Sequence, residues 1–216
     1  MDSRRLTESP EGTARALIDA GLHLFGHHGY SATSTRAVAA RAGANVAAIA
    51  YHFGGKAGLR AACAAEVARR LGQVAALPAE PAARTPHEAR AALRAILIGF
   101  AEFLLPDGPA GDIPPFLLRE IGEDGATVDH IYHRLFEPTH RQLCALWAIA
   151  TGQEAESPAT RIAVFSMLGQ LVYFRIGQPV IRRRMGWAGL GAAELGAILP
   201  VLIRNLDAAL DAAQEE

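Results

Sequence analysis

The stretch Arg36–Lys56, RAVAARAGANVAAIAYHFGGK, decides the fold. It reads as two short helices joined by a tight turn. Val38, Ala39 and Ala42 give the first helix a small apolar face. Gly43 ends it, because a helix stop commonly needs positive φ, which glycine adopts at little cost. Asn45 follows as an N-cap whose side-chain oxygen takes the first free N–H groups of the next helix. There Val46, Ile49, Ala50 and Phe53 stand at i, i+3, i+4 and i+7, the spacing of one buried stripe. The opposite face carries Asn45, Ala47, Ala48, Tyr51 and His52. Small and hydrogen-bonding side chains without a carboxylate are what a helix entering a major groove requires. The pattern is a helix-turn-helix.

Charge around this turn supports the reading. Lys56 is the only lysine in the chain, and it stands just beyond the second helix, where a further helix begins. Between Ser34 and Arg70 the basic residues are Arg36, Arg41, Lys56, Arg60, Arg69 and Arg70, six against the single acid Glu66. The whole chain has a formal net charge of -1, so the excess is local. Such an excess is the footprint of a phosphate-binding surface.

With these residues in place the chain resembles a known family. Ala32-Thr33-Ser34-Thr35, Val38-Ala39, Ala42-Gly43-Ala44-Asn45 and the Tyr51-His52-Phe53…Lys56 run look like the DNA-binding domain of TetR-type transcriptional regulators. The likeness covers roughly the first 60 residues, with turn, recognition helix and trailing lysine at family spacing. It implies that Thr33, Ser34, Arg36, Tyr51, His52 and Lys56 touch phosphates, with Asn45, Ala47 and Ala48 nearest the bases. Ala44 stands where the family more usually has a larger aliphatic residue, so the turn should pack a little more loosely here.

The frame is globular. A chain of 216 residues, 50% apolar and 20% charged, can bury a substantial core in one large or two small domains. Cys63 and Cys144 are too few and too far apart for a disulfide framework, which favours a reducing compartment. The first residues, MDSRRLTESPEG, lack an apolar leader segment, and no run approaches about 18 consecutive apolar residues. A cytoplasmic protein without membrane association is expected. Arg4 and Arg5 lie in a polar N-terminal arm that could reach DNA phosphate or simply be a loose tail.

A first helix is predicted over about 11–28, with Ala14, Leu17, Ile18, Gly21, Leu24 and Phe25 on one face and Gly29 as its stop. His27 and His28 are adjacent, point different ways and read as surface residues. A longer helix follows Lys56 to about Leu77, carrying Leu59, Cys63, Val67, Leu71 and Val74. The segment LPAEPAARTPH then breaks the pattern. The expected fold is all-α: a three-helix DNA-binding domain with its connecting helix over 1–77, and a larger helical effector-binding and dimerisation domain over 78–216.

Helical patterns continue over about 87–105, 115–123, 127–151, 158–185 and 192–213, with a PDGPAGDIPP loop between the first two. Pro138 and Pro179 should interrupt the third and fourth, since proline removes a helix N–H and crowds the preceding turn. The fourth, with Ile162, Val164, Phe165, Met167, Leu168, Leu171, Val172, Tyr173, Phe174 and Ile176, is apolar around its circumference. The last carries Leu195, Ile198, Leu199, Leu202, Ile203, Leu206 and Leu210. A helix apolar all round needs cover on more than one side. These two helices therefore suit a homodimer interface, with a central helix of a monomer core as the other reading. FLLREIGED, HIYHRLFEPTHRQLCAL and LGQLVYFRIGQPVIRRRMGW resemble the ligand domain of the CecR-type branch of TetR regulators. That likeness implies an effector pocket among these helices.

Polar groups on apolar helices are the pocket candidates, because buried polar groups need partners. They are Arg119 and Glu120 beside Phe116, the four-residue series Tyr132, Phe136 and His140, and Gln170, Phe174 and Arg175 on the fourth helix. A structural Arg–Glu or His–Glu network is the alternative for any one of them. Metal sensing is the rival mechanism, through His130, His133, Glu137, His140 and Cys144. No paired CxxC supports it, and Cys144 among apolar residues reads as core, so no metal ligand set is assigned. The chain has no GxSxG, no HExxH and no GxxxxGK[ST], so an enzyme is disfavoured and no catalytic residue or cofactor is expected. The sequence thus points to a DNA-binding regulator, a repressor that binds a palindromic double-stranded operator as a homodimer and is released by a small molecule. A metal-responsive regulator and a helical enzyme are the alternatives.

Overall fold

Helical periodicity dominates the structure, a computed structural model that describes residues 10–75, 83–106, 111–122, 129 and 131–215. Among them the helices are α1 (Pro10–His28), α2 (Thr35–Ala42), α3 (Ala47–Phe53), α4 (Lys56–Ala75), α5 (Pro86–Leu104), α6 (Ile113–Ile121), α7 (Glu137–Thr151), α8 (Pro158–Ile176), α9 (Gln178–Met185) and α10 (Ala192–Glu215). The described residues contain no strand, and no helix among them is long and apolar enough to cross a membrane. The all-α expectation holds. The arm carrying Arg4 and Arg5, much of the two proline-rich loops, and His130 lie outside the described residues.

The chain forms two compact units, one within 1–70 and 111–134, the other within 71–110 and 135–216. A boundary drawn linearly at residue 77 does not follow this packing. The segment holding α6 returns to the first unit and packs on α1, where a Cβ on Gly26 would stand 2.8 Å from the backbone nitrogen of Phe116. Only a residue without a side chain lets the two backbones approach this closely.

In the first unit α1 packs on α2, α3 and α6, burying Leu17, Ala20, Leu22 and Phe25. The expected stripe of α4 is buried here at Leu59, Cys63 and Val67; it continues at buried Leu71, the first residue of the second unit, and the side chain of Val74 lies outside those described. Burial pushes the Cys63 thiol far up, so it stays an inert core group. Glu120 of α6 is buried, and both its carboxylate oxygens receive the Arg60 Nε–H of α4, at 2.9 and 3.0 Å. Arg119 donates its Nε–H to the Gly26 carbonyl at 3.2 Å, near the C-terminal end of α1, where such carbonyls lack helix partners.

In the second unit α5 packs on α7, α8 and α10, with Leu93, Leu97, Leu143, Trp147, Val164, Leu171, Leu202 and Leu206 in its core. Arg94 donates to Asp207 at 2.8 Å, joining α5 to α10 along the rim. Both prolines act as expected. Pro138 is the second residue of α7, and the turn before it, Tyr132–Phe136, is π-helical, the widening that absorbs a lost N–H. Pro179 sits at the start of α9, and Gly177 separates α9 from α8.

The last helix differs from expectation in one respect. Ile198, Leu202, Leu206 and Leu210 are buried within the single chain, so this stripe belongs to the core and is not free for a symmetry mate.

The Arg60–Glu120 pair predicts a test of the α4–α6 junction. Glu120→Ala strands a largely buried guanidinium, and breaking a buried pair from one side costs about 3–5 kcal/mol. Urea unfolding should show that loss, and Glu120→Gln, which keeps hydrogen-bond acceptors, should lose less.

Candidate nucleic-acid interface

The turn between α2 and α3 is built by backbone chemistry that the sequence specifies locally. Ser34 precedes α2 with extended φ/ψ, and its Oγ accepts the Ala37 N–H at 3.1 Å. Gly43 takes φ of 64°, which lets the Ala44 N–H reach the Ala39 carbonyl at 2.9 Å and the Gly43 N–H reach Ala40 at 3.2 Å. This pair of bonds is the Schellman stop. Asn45 then accepts the Ala47 N–H on its Oδ1 at 2.9 Å, starting α3. At the far end of α3 a Cβ on Gly58 would stand 1.8 Å from the Phe53 carbonyl oxygen. The α3–α4 corner therefore depends on that glycine.

Only part of the expected α3 stripe is buried. Ile49 is 1% exposed, whereas Val46 is 42% exposed and Ala50 is also open. Ile49 anchors this two-turn helix, and Phe53, the last residue of the expected stripe, is half-buried. Asn45, Ala47 and Tyr51 are exposed, with Ala48 and His52 half-buried. Tyr51 reaches 82% exposure and lies edge-on to His52, with ring centroids 4.9 Å apart. This outer face presents no carboxylate.

The positive charge is narrower than the sequence count suggests. Arg60 is committed to Glu120, Arg69 and Arg70 bond Glu66 at 2.6–2.7 Å, and Arg70 also bonds Asp19 at 2.8 Å. The Arg69 and Arg70 hydrogen bonds hold the Glu66 carboxyl down to about 2, so it remains charged and, together with Asp19, offsets the two guanidinium charges. Among the described residues, no carboxylate is bonded to Arg36, Arg41 or Lys56. Lys56 Nζ lies 4.3 Å from the centroid of the Tyr30 ring and Arg60 Cζ lies 4.6 Å from it, so the ring positions both cations. Arg41 joins the candidate contacts, for which net charge was the only sequence signal.

Thr33 requires a correction. It is 4% exposed, and its one hydroxyl hydrogen is directed at the Gly29 carbonyl at 2.7 Å, with the Leu24 carbonyl also in reach at 3.1 Å. Its N–H bonds Tyr30. Nothing remains to offer a phosphate, so Thr33 locks the α1–α2 connection instead.

The effector candidates are divided between the units. Phe116, Arg119, Glu120 and Tyr132 belong to the first; Phe136, His140, Gln170, Phe174 and Arg175 to the second. Phe116 is fully buried, and Glu120 and Arg119 hold α6 to α4 and α1, so these three serve structure. Tyr132 is exposed on the π-helical turn. His140 stacks on Phe165 at 3.9 Å, with its Nε2 3.3 Å from the Arg161 carbonyl and its Nδ1 3.6 Å from Cys144 Sγ. Burial lowers the His140 pKa and pushes Cys144 up to about 11, favouring neutral forms of both. Gln170 accepts from Asn205 at 2.8 Å, and Phe174 and Arg175 are half-buried on α8. Of the suggested metal ligands, Glu137 is instead bonded to Arg141.

Comparison with known proteins fits this geometry. The family model described as bacterial regulatory proteins, tetR family, matches residues 17–63, which span α2, α3 and their turn. The model described as HTH-type transcriptional dual regulator CecR, C-terminal domain, matches residues 89–213. The chain belongs to the TetR family of transcriptional regulators, with a helix-turn-helix DNA-binding domain and a CecR-type C-terminal domain. It is 30% identical over 213 residues to the HTH-type transcriptional dual regulator CecR of Shigella flexneri, covering 96% of this chain and 95% of that protein. Solved structures share the fold. A transcriptional regulator of Pseudomonas aeruginosa PAO1 superposes with a TM-score of 0.70 at 20% identity, covering 98% of this chain and 95% of that one. HlyIIR, a hemolysin II transcriptional regulator, does so with 0.63 at 20% identity, covering 91% and 98%.

The distribution of paired and unpaired cations predicts a difference between two substitutions. Lys56→Ala should lower the slope of log K against log salt by about 0.9 per lost phosphate contact, or roughly twice that if two chains bind together. Arg60→Gln should leave that slope unchanged while lowering thermal stability. Fluorescence anisotropy with specific and random duplexes across a salt series measures both.

Proposed function

We propose that the protein is a cytoplasmic, homodimeric repressor that binds an inverted-repeat operator and releases it when a small molecule binds the C-terminal domain. The observation that carries the DNA-binding part is the open, carboxylate-free face of α3, flanked by Arg36, Arg41 and Lys56. Phosphate contacts from Ser34, Arg36, Tyr51, His52 and Lys56 would set register, and Asn45, Ala47 and Ala48 would lie against base edges. Recovery of genomic fragments bound to the purified protein tests this. An inverted repeat with half-sites about 34–36 Å apart is the expected result, and enrichment without any shared motif would refute it. The Shigella relative's name describes a dual regulator, so a reporter assay with and without the gene decides the sign here. Repression predicts higher target transcription in its absence.

Dimerisation is supported by α8. Val164, Met167 and Leu171 are buried in the second unit's core, whereas Ile162, Phe165, Val172, Tyr173 and Ile176 on the opposite side are 38–66% exposed. At 100° per residue these five lie on one side of the helix, in two groups, Ile162 with Phe165 and Val172 with Tyr173 and Ile176, separated by the exposed Gly169. On α10 the exposed positions include Ala197, Pro200, Val201 and Ala208, small enough for close helix approach. A second copy of this chain would cover both helices through a two-fold contact. Ile176→Arg should therefore yield a folded monomer by sedimentation at micromolar concentration and weaken operator binding. Leu202→Glu should unfold the chain instead, because Leu202 lies inside the monomer core.

Effector binding rests on the family likeness and on the polar groups of the second unit, chiefly Arg175 and His140. A guanidinium favours a ligand with carboxylate or similar oxygens. Release requires that this ligand bind the non-operator geometry better than the operator-bound one. Arg175→Met should preserve operator affinity while raising the effector concentration needed for release. Equal responses in titrations of both proteins would remove Arg175 from the site.

A further inference from the structure

His23 and His27 are four residues apart on α1, hence on one face of the helix, and both turn toward Asp112 at the entry to α6. His23 Nδ1 lies 2.9 Å and His27 Nε2 3.2 Å from the same oxygen, Asp112 Oδ1, and the two imidazole centroids are 4.6 Å apart. The three potential ligand atoms all fall within 4.8 Å of one another. Asp112 directly precedes α6, yet its side chain makes no capping bond to that helix. A carboxylate at this position ordinarily takes the first free N–H groups; here it faces two imidazoles. The frame behind it is stiff, because Ile113 and Phe116 are buried and the backbone of Phe116 closely approaches Gly26.

We infer that His23, His27 and Asp112 form a binding site for a divalent transition metal of the zinc class. Two imidazoles and one carboxylate are a donor set suited to such ions, whereas magnesium and calcium prefer oxygen alone. With bonds of about 2.0–2.1 Å to a tetrahedral ion, ligand atoms stand roughly 3.3 Å apart. The two nitrogen–oxygen separations already lie close to that edge. The side chains are 28%, 45% and 39% exposed, so the ion has an entry path and solvent can complete its coordination. A carboxylate oxygen only accepts, so without metal each facing ring nitrogen carries its hydrogen. Metal binding needs the lone pair of each facing nitrogen, so each ring keeps one proton on its other nitrogen and any second proton passes to solvent. The ion would fasten the start of α6 to α1 within the first unit.

The site is tested on full-length protein stripped of metal by chelator and dialysed. Titration with Zn2+ against a competing chromophoric chelator at neutral pH should show one saturable site per chain, with Mg2+ failing to compete. Asp112→Asn and His27→Gln should each weaken it at least about tenfold, while the neighbouring His28→Gln leaves it unchanged. Zn2+ should raise the melting temperature of the wild type and of His28→Gln but not of the two ligand variants. Their metal-free melting curves also report whether they are folded. Co2+ should give visible absorption bands in the wild type that are lost in His27→Gln. No saturable binding, a stoichiometry other than one, or wild-type affinity in Asp112→Asn would overturn the site.

Discussion

The buried contact between Arg60 and Glu120 ties α4 to α6 in the first unit. A carboxylate 2% exposed is tenable only with a well-placed cation, and the Arg60 Nε–H meets both of its oxygens. The two groups are separated by sixty residues. Between α4 and α6 the chain passes through α5, which belongs to the second unit, and then returns. The pair fixes where that return must dock. Arg119 and the close approach of Phe116 to Gly26 then align α6 along α1. Pairing also removes Arg60 from the charge available to DNA, so one interaction shapes both the packing and the electrostatics of the reading head.

Local chemistry was legible in the sequence because it acts over a few residues. Gly43 stops α2 with positive φ, Asn45 starts α3, and Pro138 and Pro179 disturb their helices where a missing N–H dictates. The stripe of α4 followed from period alone. Non-local consequences were less accessible. Nothing in FLLREIGED says that Glu120 meets Arg60 rather than a ligand, since a buried acid on an apolar helix suits either. Likewise Thr33, in a loop rich in hydroxyls, gives no local sign that its Oγ turns inward to Gly29 and Leu24. The four-residue spacing of His23 to His27 is present in the sequence, but by itself such a spacing on a helix face marks no site. The meeting of His23 with Asp112 needed the fold.

Counting charges along a segment carries a related error. The basic excess from Ser34 to Arg70 is real, but Glu66, Asp19 and Glu120 neutralise the α4 arginines, two of those acids lying outside the segment. The remaining unneutralised cations, Arg36, Arg41 and Lys56, lie from the start of α2 to the start of α4 and bracket α3. A field concentrated beside the helix that would read the groove is better suited to positioning it than one spread along α4.

Helices α8 and α10 show what apolar periodicity can and cannot decide. A side chain's period reports how much of a helix needs cover, not what supplies it. For α10 the broad stripe of leucines is satisfied within the chain, leaving outside mainly small and polar residues. For α8 a second stripe opposite the core remains open, with Ile162 and Phe165 at 66% and 60% exposure. Isolated exposed hydrophobics are ordinary on protein surfaces, but five of them on one side of a helix, over about four turns, are costly to leave in water. The distinction follows from which face the core has already taken. The two sides of α8 therefore differ in their surroundings: Val164, Met167 and Leu171 complete one chain, and the outer apolar side is the one that the proposed dimer would cover.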